Sequence, residues 1–235
     1  GMPIALDVSG DIFTVSFASS IFYGSGIYAS PTASTGLPAG ALVSTAIEGA
    51  VIDGYVEGAT VFADLNGDGV FNTGEPSAIT DASGGYTLTT TASLAGISIV
   101  ATGGTDVTTG ATVDYMVAPA GVTYVTPIST LAHYTNEAGG DPLELLDSLG
   151  FTVDHLLEDP VVAGNEDFLA SGAGILTAVA SASSLISGAS GVTQSTVTQT
   201  VFNQLAQKDT STIKTLADRT GGGSLSDLEL SLIHI

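Results

Sequence analysis

The sequence predicts an α+β fold: an N-terminal antiparallel β-sandwich followed by a small α-helical bundle. Two observations carry this reading. Up to about residue 125 the chain is rich in Val, Ile, Thr and Tyr in alternating runs, broken at short intervals by Gly, Asp and Asn. From Thr126 onward apolar residues recur at helical spacing behind helix-start signals.

Strands are expected at residues 12–17, 50–56, 59–63, 85–89, 97–101, 112–117 and 122–125. Turn dipeptides separate them, among them Asn66-Gly67, Asp68-Gly69 and Gly103-Gly104. Many short strands at this spacing point to a sandwich rather than a parallel sheet. Residues 19–40 are dense in Gly, Ser, Pro and Thr and are expected to be irregular. In the second half, Thr126 can cap a helix with Pro127 in its first turn. Asp141-Pro142-Leu143-Glu144 is a stronger start, with Glu144 placed to reach back to the cap and Gly150 placed to end the helix. Further helices are expected over 166–186, 194–207 and 212–218. The resulting division is an N-terminal extension (1–47), a β-sandwich (48–126), a helical domain (127–220) and a tail (221–235) expected to be disordered or a cloning scar. Gly1 ahead of Met2 reads as a tag remnant, and the acidic segment behind it lacks the basic start of a signal peptide.

Charge narrows the function. The chain has 24 Asp and Glu against 3 Lys and Arg, a formal net charge of -21, and no Lys or Arg precedes Lys208. Nucleic-acid binding needs cations to displace phosphate counterions, so no nucleic-acid partner is expected, and docking to anionic lipid is disfavoured for the same reason. The charge-free stretch 168–207 is too dense in Ser, Thr, Gly and Gln to fit a membrane span, and no membrane insertion is expected. With zero Cys there are no disulfides and no thiolate metal sites. Most carboxylates have no basic partner, so a cluster of them must be solvated, protonated or neutralised by a metal ion.

One loop has the spacing for the last of these. Residues 64–75 read D-L-N-G-D-G-V-F-N-T-G-E and match the calcium-loop pattern D-x-[DN]-x-[DN]-G-x5-E without a mismatch. Calcium takes several hard oxygen ligands. Asp64, Asn66 and Asp68 supply side-chain oxygens from alternate positions, and Gly69 permits the sharp turn. Val70 offers its carbonyl, Asn72 contributes directly or through water, and Glu75 closes the loop. A plain polar hairpin tip would explain Asn-Gly and Asp-Gly but not Asp64 and Glu75 at the two ends. The flanking strand pattern at 59–63 and Pro76 after the loop exclude a helix–loop–helix sensor. The expected Ca2+ is therefore structural.

The residues around the loop resemble a known module. Gly54-Tyr55-Val56-Glu57-Gly58-Ala59-Thr60-Val61-Phe62, the loop itself, and Thr80-Asp81-Ala82-Ser83-Gly84-Gly85-Tyr86-Thr87-Leu88 are similar to the collagen-adhesin B-type repeat and the carboxypeptidase regulatory-like domain. Both occur in large secreted or surface-attached bacterial proteins. Gly103-Gly104-Thr105-Asp106, Ala118-Pro119-Ala120-Gly121 and Val125-Thr126-Pro127-Ile128-Ser129-Thr130-Leu131 extend the resemblance, which covers about residues 48–186. It implies a prealbumin-like, Ig-like sandwich, a helical segment after it, and an extracellular or cell-surface location. B-type repeats often carry a Lys–Asn isopeptide crosslink, which the absence of Lys before Lys208 rules out within this sandwich.

No catalytic string accompanies the loop. His133, His155 and His234 have no partner histidine at metal-ligand spacing, and no G-x-S-x-G, P-loop or H-E-x-x-H occurs. Asp154-His155 are adjacent and would point apart, and Glu158-Asp159 and Glu166-Asp167 suit helix starts. The chain is expected not to be an enzyme. The leading expectation is a calcium-stabilised structural or adhesive module whose partner is a protein or glycan at the cell surface. The alternative is a glycan-binding or hydrolase-accessory module, weakened by the absence of Trp.

Overall fold

A computed structural model describes residues 44–190 and 192–218. The strand expected at 12–17, the irregular stretch 19–40 and the tail 221–235 lie outside them. The described chain is α+β, as predicted, with several sheets and five α-helices.

β1 (Thr45–Val51) pairs antiparallel with β5 (Gly85–Thr90) and parallel with β9 (Tyr124–Val125). β3 (Thr60–Asp64) lies between β4 (Ser77–Ile79) and β6 (Ser98–Thr102), and β8 (Tyr115–Ala118) completes this four-stranded antiparallel sheet beyond β6. β2 (Val56–Glu57) and β7 (Thr105–Asp106) form a short antiparallel ribbon. The β1–β9 pair is thus a parallel exception in a sandwich predicted to be antiparallel throughout.

The strand predicted over 50–56 is displaced. β1 starts at Thr45 and stops at Val51, because Gly54 takes a left-handed φ of 88° and turns the chain back. A Cβ at Gly54 would lie 2.4 Å from Oδ1 of Asp106, so only glycine fits that turn. The strands β4 and β7 escaped the sequence reading because each is only two or three residues long.

Alternation along β3, β6 and β8 divides two buried faces. Val61, Ala63, Ile99, Ala101, Met116 and Ala118 join the main core with Val51 and Leu88 of the three-stranded sheet. Phe62, Val100, Tyr115 and Val117 form a second cluster on the opposite face, against Tyr134. A face that would be solvated in a free-standing sandwich is covered here by helices.

The helices are α1 (Pro127–Glu137), α2 (Pro142–Leu149), α3 (Glu166–Ser190), α4 (Gln194–Ala206) and α5 (Thr210–Ala217), with a 3₁₀ turn at Val153–Leu156. Thr126 caps α1 as predicted, and Ser129 completes a reciprocal capping box. Asp141 caps α2 through the Leu143 N–H, and Gly150 ends it with φ 87°. No return bond from Glu144 accompanies that cap among the described residues. Glu166 and Asp167 open α3 as expected, but Glu158 and Asp159 do not start a helix. Asp159 instead accepts the Val161 and Val162 N–H groups and the Tyr55 hydroxyl, tying a turn to the β half.

Helix α1 docks on the sheet edge by hydrogen bonds as well as packing. Thr130 Oγ1 accepts the Val117 N–H at 3.0 Å, and Ser129 Oγ donates to the Val117 carbonyl at 3.1 Å. Both hydroxyl residues are fully buried, so they satisfy the backbone of β8 where a further strand would otherwise pair. Glu166–Ile186 is long and apolar enough to cross a membrane by length and composition. One side of that helix, carrying Phe168, Ile175, Val179 and Ala182, lies in the same core as Val61 and Leu88.

Candidate metal centre

The predicted loop spans the hairpin between β3 and β4. Asp64 is the last residue of β3, and the Ala63 N–H donates to the Pro76 carbonyl at 3.0 Å, closing the base of the hairpin beside Glu75. The expectation that the loop joins strands, not helices, agrees with this arrangement.

Asp64 is buried and organises the turn. Its Oδ1 accepts the N–H groups of Gly67 (2.8 Å) and Asp68 (3.2 Å), and its Oδ2 accepts that of Gly69 (2.8 Å). Gly67 and Gly69 reach these positions with φ of 74° and 69°. Glu75 acts from the other end, accepting Leu65 N–H on Oε1 (2.9 Å) and Asn72 N–H on Oε2 (2.8 Å). The two end carboxylates therefore hold the loop in shape through its backbone.

The middle residues converge on one another. Asp68 accepts the Val70 N–H at 2.8 Å, Asn66 Nδ2 at 2.9 Å and Asn72 Nδ2 at 3.0 Å. Asn72 Nδ2 also donates to the Val70 carbonyl at 2.6 Å. The Val70 N–H and then the Asn72 amide hold the Asp68 carboxyl below its ordinary range, so it is ionised at neutral pH. Thus Asn66, Asp68, Val70 and Asn72 come together, while Asp64 and Glu75 are turned toward backbone N–H groups. Among the described residues, no group of three or more His, Cys, Asp or Glu side chains stands close enough to hold a metal by itself. Any ion here needs the amide and carbonyl oxygens as well as the carboxylates.

The donor chemistry fits a hard cation. Every expected ligand is oxygen, which suits calcium and not zinc or copper. A half-turn of the Asn66 or Asn72 amide exchanges N–H donors for an oxygen in the same place. Asp64 and Glu75 each keep acceptor capacity beyond the backbone bonds they make.

Sequence reasoning missed what surrounds the loop. The Gln199 amide of α4 donates to the Gly69 carbonyl at 3.4 Å, and a Cβ on Gly69 would meet Gln199 Oε1 at 3.0 Å and the Tyr115 hydroxyl at 3.2 Å. A cleft of about 450 Å³ opens between the loop, the start of β6, and helices α1 and α4. No local signal links positions 69 and 199; only the docking of the helical layer does.

The histidines fall elsewhere. His133 lies on α1, and its Nδ1 is 3.4 Å from Ser98 Oγ. Burial lowers its pKa, against the opposing pull of Glu137 and Asp64. His155 accepts the Thr152 N–H on Nδ1 at 3.1 Å and stacks on Phe168, so it shapes a turn and makes no pair with Asp154. His234 lies outside the described residues.

An acidic pair between residues far apart in sequence was not anticipated. Asp53 stands near Asp106, and burial first, then Asp106, push its carboxyl up to about 7. Asp106 is fully buried and bonded to the Thr108 N–H and the Thr109 hydroxyl.

Compared with known proteins, the chain matches no family model, no curated sequence and no solved structure.

Proposed function

We propose that this chain is a calcium-stabilised structural or adhesive module of a secreted or cell-surface protein. In this reading its two main sheets form a prealbumin-like sandwich, and one Ca2+ is held by Asp64, Asn66, Asp68, Val70, Asn72 and Glu75. The observation that carries the reading is an all-oxygen donor set on one hairpin, already turned by Asp64 and Glu75, in a chain with no Lys or Arg before Lys208. The ion would neutralise carboxylates that make no ion pair with Lys or Arg among the described residues. Because the ion's hairpin is anchored in β3 and touches α4, its role is bracing rather than catalysis or sensing.

Titration calorimetry tests this reading. One calcium per chain should bind, in preference to magnesium, since the loop offers a wide cage and magnesium demands a tight octahedron. Asp68→Ala should remove that binding. Unchanged stoichiometry and affinity in the variant would place calcium elsewhere.

A further inference from the structure

We infer that the cleft between the loop and helices α1 and α4 binds a neutral, hydroxyl-rich ligand of the saccharide class. The inference does not need the ion, because the groups it uses come from β6, β8, α1 and α4.

Size is the first argument. About 450 Å³ lies within the range of small-molecule sites and would take one or two sugar rings. The polar groups are the second. Ser98, Tyr115, His133, Tyr134, Gln199 and Asn203 all line the cleft. Among them they offer hydroxyl, phenol, imidazole and amide groups, most of which both donate and accept. Asn203 uses its Oδ1 to accept from Gln207, and no hydrogen bond engages its Nδ2 among the described residues. Ser98 Oγ and His133 Nδ1 meet at only 3.4 Å, a contact a ligand hydroxyl can readily replace.

Charge selects the ligand class. The charged groups on the cleft wall are the carboxylates of Asp64, Asp68 and Glu137, with no Lys or Arg among the lining residues. Phosphorylated, sulfated and uronic ligands are therefore repelled. Asp64 is engaged by three backbone N–H groups, and Asp68 and Glu137 are exposed to solvent at the rim. Apart from Asp64, whose carboxylate is turned toward the loop backbone, the groups inside the cleft are hydroxyls, amides and ring nitrogens. A cation would thus find its partners on the loop side and at the rim, whereas a neutral polyol finds them on every wall. Tyr134 and Ile97 add the apolar surface on which the C–H face of a sugar ring can rest.

The test is titration calorimetry and saturation-transfer NMR on the whole chain. The probes are methyl glycosides of neutral hexoses and N-acetylhexosamines and their short oligomers, each with calcium and with chelator. At least one probe should bind at a single site. Asn203→Ala and Tyr134→Phe should each weaken it about tenfold, the loss of one hydrogen bond, while circular dichroism shows an unchanged fold. Calcium titration of the same samples reports the metal site separately. The inference is overturned if no probe binds, if binding survives both substitutions, or if glucuronate or tetramethylammonium binds better than every neutral probe.

Discussion

Asp68 in the hairpin loop and Asp53 beside Asp106 are both carboxylates in a chain without nearby bases, yet their environments push them in opposite directions. The loop surrounds Asp68 with N–H donors and leaves it open to water, which favours the ionised form. Asp53 is mostly buried next to a second carboxylate and has no hydrogen bond among the described residues, which favours the protonated form. N–H donors and water ready one acid for a cation; their absence makes the other a weak point near neutral pH. The same contrast separates local from tertiary construction: the loop's candidate ligands lie within twelve consecutive positions, while residues 53 and 106 meet only on folding.

The contrast can be broken most forcefully at Asp53. Its folded pKa is raised above the unfolded value near 4, so the folded state binds the proton more tightly. Its ionisation therefore costs nothing below pH ~4, and the cost grows as pH rises toward 7 and then levels off. Asp53→Asn mimics the protonated form and should stabilise the protein at pH 8, by up to about 4 kcal/mol. That gain should shrink to nothing near pH 4. Urea denaturation across this range measures it, and an Asn variant that is less stable at pH 8 would mean Asp53 is tied to something else.

Calcium should come next in size. Binding to the native state alone stabilises it by about 2.7 kcal/mol at a hundredfold excess over Kd. The pH dependence is opposite to that of Asp53. Loop carboxylates must be ionised to bind, so protons compete with calcium for them. The stabilisation is present at neutral pH and is lost as acid protonates the carboxylates. Thermal scans at neutral and acid pH, with calcium and with chelator, should show a shift at neutral pH only. The same melting temperature in both at neutral pH would defeat the structural-ion proposal.

Within the loop, the two aspartates should separate by role. Asp64→Ala strands three N–H groups, which water reaches only in part, and should cost about 2 kcal/mol even in chelator. Asp68→Ala, on an exposed turn, should leave the chelator melting temperature unchanged while removing the calcium effect. If both variants lose equal stability in chelator, the division between shaping and ligating carboxylates fails.

Much of this architecture was readable from short stretches. Asp141-Pro142 and Gly150 bound α2 because capping and left-handed termination use only neighbouring residues. The hairpin was readable for the same reason, since Asp64 bonds to Gly67, Asp68 and Gly69 within five positions. The early end of β1 was hidden because Gly54 answers to Asp106, which a local reading cannot see. Glu158 and Asp159 looked like helix starters, but Asp159 is taken by a turn and by Tyr55.

By itself, the sequence determined the α+β order, the ends of most helices, the twelve-residue loop and the absence of Lys and Arg before Lys208. These follow from backbone geometry and charge, which act over a few residues or over the whole composition. Tertiary structure alone decided that the outer face of the four-stranded sheet is buried, because Phe62, Val100 and Val117 are covered by residues far along the chain. It also decided that Ser129 and Thr130 serve the edge of β8, that Gln199 reaches the loop, and that Ser98, His133 and Asn203 share one cleft. Each of these depends on where a helix docks, and docking is fixed by the fit of whole surfaces rather than by any local pattern.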